Sequence, residues 1–145
     1  MTSNVPYLYV QLIALFCYAM IMTALLAAKK DSVLYAFLLW IFGFFVWTGG
    51  SLFMRLGVGP NYEFWYDVSF LALLCLPLLT YLFFCSIAKV KGWIVKALWT
   101  AGTAVIVTLA KFQVFLAHPV KVDLPNGTTV FQYTMTAMAF IPLAF

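Results

Sequence analysis

Glu63 and Asp67 stand four residues apart, a spacing that puts both carboxylates on one face of a helix. Paired carboxylates of this kind could hold a cation or a basic ligand, with Arg55 or Lys111 as the balancing charge. The same spacing also suits a solvated helix start, where acids complement the positive end of the helix dipole. Lys111 lies inside an apolar run, and ionisable groups at depth in a membrane span are costly and often functional. His118 comes about two helical turns later, so the lysine stem can carry its ammonium toward the headgroups. No acid shares the depth of Lys111, which counts against a retinal-type Schiff base.

Other reactive side chains are scattered. His118 is the single histidine and precedes Pro119, a context that marks a helix end more than a ligand for heme or metal. Cys17, Cys75 and Cys85 sit alone in apolar stretches and form no Cys/His spacing, so they read as small packing residues. No nucleophile–base pair, phosphate-cradling glycine loop or catalytic carboxylate pair occurs. Neither catalytic residues nor a cofactor nor a metal site is expected in this chain, and the thinly spread net charge of +4 is no nucleic-acid footprint.

Composition sets the scaffold on which these residues sit. Of 145 residues, 66% are hydrophobic and 8% charged. A soluble domain carries roughly 25% charged residues. A bilayer removes the need for that polar cover, so the expected class is all-α: a polytopic transmembrane helix bundle forming a single domain over residues 1–145. A span takes about 20 apolar residues, and the expected ones are 7–28, 32–54, 62–88 and 93–117. Asp31 or Ser32 would cap the second. Residues 7–28 are too long for a signal-peptide core and end in no cleavage site.

After the fourth span the pattern changes. Val120 to Leu124 alternates apolar and polar, Pro125-Asn126-Gly127 is a turn signal, and 128–133 is strand-prone, which predicts a short extracellular β-hairpin between helices 4 and 5. Asn126-Gly127-Thr128 also matches a glycosylation acceptor, although the same residues are what a tight turn requires. Residues 134–145 form an apolar run too short to cross, expected to be a truncated fifth span of a longer protein.

Lysines set the expected orientation. The first and third loops hold Lys29, Lys30, Lys89 and Lys91, with Lys96 one turn beyond; the second and fourth hold Arg55 and Lys121, with Lys111 nearby. The positive-inside rule then places the N-terminus outside a multi-pass cell-membrane protein. Tyr7, Tyr9, Tyr62, Trp65, Tyr66 and Trp93 fall where interfacial aromatics belong. Within the spans, Thr48-Gly49-Gly50-Ser51 is a small-residue patch that lets helix backbones approach. Pro77 removes one backbone hydrogen bond and should bend the third span, a candidate hinge.

With those helices placed, the chain resembles the N-terminal seven-helix membrane region found ahead of bacterial histidine kinases and diguanylate cyclases. The resemblance covers residues 7–133. It rests on Trp47 followed by Gly49-Gly50-Ser51, on Phe64 and Trp65, Leu76-Pro77, Phe83-Phe84, and on the basic link from Lys89 to Trp93. It implies a sensor input region of a two-component system or cyclase, with an unknown small ligand or membrane stimulus and a cytoplasmic kinase or cyclase domain in cis. The expected partners are that domain, the lipid bilayer and a second copy in a homodimer. Expected ligand-binding residues are Glu63, Asp67 and Lys111; expected packing or hinge residues are Gly49, Gly50 and Pro77. The rival expectations are a transporter fragment, which mid-span polarity limited to residues such as Thr48, Ser51 and Thr80 disfavours, and a structural subunit of a membrane complex.

Overall fold

The computed structural model describes residues 5–59, 61–112, 114, 119–123 and 129–132. Four helices dominate it: α1 (Val5–Leu26), α2 (Ser32–Leu56), α3 (Tyr62–Ile87) and α4 (Trp93–Lys111). All four are long and apolar enough to cross a membrane, which makes this a multi-pass membrane protein. Two strands, β1 (Val120–Asp123) and β2 (Thr129–Gln132), pair antiparallel with Val120 opposite Gln132 and Asp123 opposite Thr129. The expected turn at Pro125-Asn126-Gly127, His118, and the expected span 134–145 lie outside the described residues.

Each helix end has a local cause. Asp31 adopts extended dihedrals and its carboxylate accepts from the Ser32 N–H at 2.6 Å, so Asp31 and not Ser32 starts α2. At the far end Gly57 turns left-handed (φ 63°) and the Val58 N–H reaches back to the Phe53 carbonyl, a closure that glycine makes without a Cβ clash. α3 closes the same way, with Val90 bonded to the Cys85 carbonyl, but the left-handed residue is Lys89 (φ 51°). α4 was expected over 93–117; the described helix reaches Lys111, and 113 and 115–117 lie outside the described residues. It ends at Lys111, where the Val114 N–H bonds to the Leu109 carbonyl and closes the ladder. The basic side chain there suits the negative helix end.

Neighbouring helices run antiparallel. Gln11, near the start of α1, donates to Ser51 near the end of α2 at 3.2 Å. Trp40, early in α2, donates to Thr80, late in α3, at 2.9 Å. Tyr81 stacks on Trp99 of α4 with ring centroids 5.5 Å apart. The α2–α3 interface is the largest, with Gly43 against Leu76 and Leu79 and Gly50 against Ser69; the buried residues of the two helices also include Ile41, Leu52, Met54, Tyr66 and Cys85. Apolar side chains elsewhere point outward even at mid-helix, with Phe16 and Leu98 each 67% exposed. Water would not tolerate that along every helix; lipid does. Threonines on those faces are compatible with lipid because Thr23, Thr100, Thr103 and Thr108 donate to carbonyls one turn back.

Candidate functional site

The antiparallel order gathers charge at the two ends of the bundle. Glu63 is half-buried in the first turn of α3, and Asp67 is exposed one turn further on. The two sit on one continuous helix, as the spacing requires. Lys111 is exposed in the last turn of α4, and Arg55 is exposed in the last turn of α2. All four therefore belong to the same end. The two turns expected between Lys111 and His118 fall mostly on residues outside those described.

Local bonds orient part of this group. The Asn61 side chain donates to Glu63 at 3.4 Å, and Asn61 supplies no side-chain cap to α3 itself. The loop between α2 and α3 is pinned by Trp65, whose indole N–H donates to the Val58 carbonyl and whose ring lies 4.7 Å from that of Phe53. Gly59 passes over this indole with φ 98°, a left-handed conformation that favours glycine, and a Cβ there would meet the ring nitrogen at 3.0 Å. This end therefore carries two carboxylates and two cations near a loop braced by Trp65, groups of the kind that ion-pair with a small charged ligand.

Deeper in the bundle the small residues divide by role. A Cβ on Gly50 would sit 3.0 Å from the Ser69 Cβ and 3.2 Å from its backbone, so α2 and α3 touch at this point. Gly49 instead faces α1, where a Cβ would make ordinary contact with Leu15 at 3.6 Å. Gly43, two turns before Gly50, is the residue that sequence reasoning missed: a Cβ there would meet Leu79 at 2.8 Å and Leu76 at 3.1 Å. The seven-residue spacing of Gly43 and Gly50 was the available signal, since it keeps both on one face.

Hydrogen bonds between spans have no counterpart among the expectations. Ser69 donates to the Trp47 carbonyl at 3.0 Å, beside the Gly50 approach. Thr80 accepts from Trp40 and donates to the Leu76 carbonyl at 2.8 Å, so the indole, the hydroxyl and the backbone form one chain. Around it Trp40 stacks on Phe83 at 5.4 Å, with Phe37 and Phe44 against the same indole. Pro77 lies inside α3, which continues through it to Ile87; the ring has no N–H to offer the Leu73 carbonyl. Cys17, Cys75 and Cys85 are all free thiols. Among the described residues no group of three His, Cys, Asp or Glu side chains could hold a metal ion.

Comparison with protein-family models, curated proteins and solved structures finds no match to this chain.

Proposed function

We propose that the chain is the membrane-embedded input region of a bacterial signal-transduction protein. A stimulus would rearrange its helices, and the change would pass to a cytoplasmic kinase or cyclase domain in cis. The observation that carries this reading is the unequal fastening of the helices. α2 and α3 are joined by the Gly50–Ser69 approach and by two side-chain hydrogen bonds, Ser69 to Trp47 and Trp40 to Thr80. α4 meets α3 over a smaller interface that includes the Tyr81–Trp99 stack. Signalling requires a rigid reference and an element with two arrangements of similar free energy, biased by a stimulus that prefers one of them. The α2–α3 pair suits the first role and α4 the second.

The stimulus site in this reading is the end that holds Glu63, Asp67 and Lys111, with Pro77 as the bend that lets α3 respond. That end, the N-terminus and the strand pair face outward from the cell membrane, and the turns with Lys29, Lys30, Lys89 and Lys91 face the cytoplasm. The lysine alternation supports this orientation, and the resemblance to kinase and cyclase sensor regions supports the role.

Two measurements test the reading. A membrane-impermeant maleimide should label Lys30→Cys and Lys91→Cys only from the cytoplasmic side, in a background with Cys17, Cys75 and Cys85 replaced. Labelling of either from outside overturns the orientation. The reading frame past Phe145 should continue into further spans and then a kinase or cyclase domain, and an immediate stop codon would remove the effector.

A further inference from the structure

We infer that the lysine-bearing end of the bundle is a binding surface for anionic phospholipid headgroups, centred on the α3–α4 turn. Five lysines converge there: Lys29 and Lys30 after α1, Lys89 and Lys91 between α3 and α4, and Lys96 in the first turn of α4. The antiparallel packing of neighbouring helices brings both turns to one end. Four of the five are exposed, and Lys96 is half-buried.

Little in the protein offsets that charge. The chain has four acidic residues, and at this end there is only Asp31, already accepting from the Ser32 N–H at the start of α2. The opposite end is balanced, with Arg55 and Lys111 alongside Glu63 and Asp67. α4 starts with no acid in its first turn and no side-chain cap from Gly92, so Lys96 adds positive charge to an already positive helix end. Lys89 occupies a left-handed position (φ 51°) that L-residues other than Asn and Asp rarely adopt, yet a lysine stands where α2 uses Gly57. The uncompensated positive charge at this end favours an external anion.

The adjoining surface identifies the carrier of that anion. Trp93 is 74% exposed beside the lysines, and Ile94, Val95 and Leu98 form an exposed apolar face in the first two turns of α4. A phosphate joined to acyl chains satisfies the lysines and this face together; a free phosphate satisfies only the lysines. Tryptophan at the same level is what a headgroup boundary selects. The inference depends neither on the signalling reading nor on which side of the membrane the lysines face.

The test uses the full-length protein reconstituted in mixed phosphatidylcholine and phosphatidylglycerol vesicles, with spin-labelled lipids reporting the relative association of each headgroup at the protein boundary. Phosphatidylglycerol should be preferred several-fold, with the preference falling as salt rises. The K89Q/K91Q/K96Q variant should lower the preference by at least about three-fold. The opposite-end pair R55Q/K111Q should leave it unchanged. Lack of preference in the unmodified protein, or an equal fall in both variants, would overturn the surface. Displacement by excess inorganic phosphate would assign it to a free anion instead. Should the triple variant fail to insert, K96Q alone and the salt titration of the unmodified protein decide: a preference insensitive to both sinks the inference.

Discussion

At position 50 a methyl group would press on the backbone of Ser69, at 3.2 Å from both its N and its Cα, and a helix backbone cannot yield as a side-chain tip can. Gly50→Ala should therefore cost about 1–3 kcal/mol through forced separation of α2 and α3. Gly49→Ala meets only Leu15 at ordinary contact distance, so it should stay within about 1 kcal/mol of the parent, with helix propensity on its side. Unfolding in mixed SDS micelles compares the two directly; equal losses would contradict the close approach. Lys89 gives a prediction of opposite sign. Lys89→Gly keeps the α3 closure, removes the left-handed penalty and should raise stability by about 1 kcal/mol in the same assay, in uncharged detergent without anionic lipid. The small-residue patch was legible from residue type alone, but which glycine meets which helix was not. That depends on the rotation of α2 about its axis, and the rotation is set by the partner helix.

Among the elements, the α2–α3 pair shows how polar groups act where water is absent. Trp40 and Thr80 are exchanged for no solvent when they part, yet the unfolded protein in a membrane also finds partners for them. Double-mutant cycles on such pairs accordingly average only about 0.6 kcal/mol. Trp40→Phe with Thr80→Val should show a coupling of that order, read from SDS unfolding of the four species. A coupling of zero would mean that the 2.9 Å bond adds nothing beyond packing. Boundaries of α2 and α3 were readable because the punctuation is explicit: Asp31 ahead of one, the Gly57–Gly59 turn between them. The end of α4 was not, since a mainly apolar run continues from Phe112 to Ala117 and hydropathy does not mark where a helix stops. The charged group at Glu63, Asp67 and Lys111 was legible only as a shared end of the bundle, because spacing within one helix fixes a face and says nothing about a lysine on another.

For the whole molecule, composition and short connections were enough to dictate a membrane bundle of antiparallel neighbours, because few alternatives bury so much apolar surface with so few charges. The unequal fastening of its helices was not readable, as it arises from contacts between residues some 20 to 40 apart that no local pattern encodes, such as Ser69 with Trp47 and Trp40 with Thr80. It has a mechanical consequence. If α2 and α3 form the rigid pair, extraction from a bilayer by a force probe attached just after α4 should proceed in two steps. α4 should leave alone, because the Tyr81–Trp99 stack and its apolar surroundings resist less than the hydrogen-bonded α2–α3 contact. α3 should then bring α2 with it in a single, stronger event. Trp99→Ala should weaken the first step and leave the second unchanged, whereas Gly50→Leu should do the reverse, since its side chain would have to displace the Ser69 backbone. Extraction of α3 and α4 together as a helical hairpin, with α2 left behind, would show that the tight pair lies elsewhere and that α4 is no independently movable element.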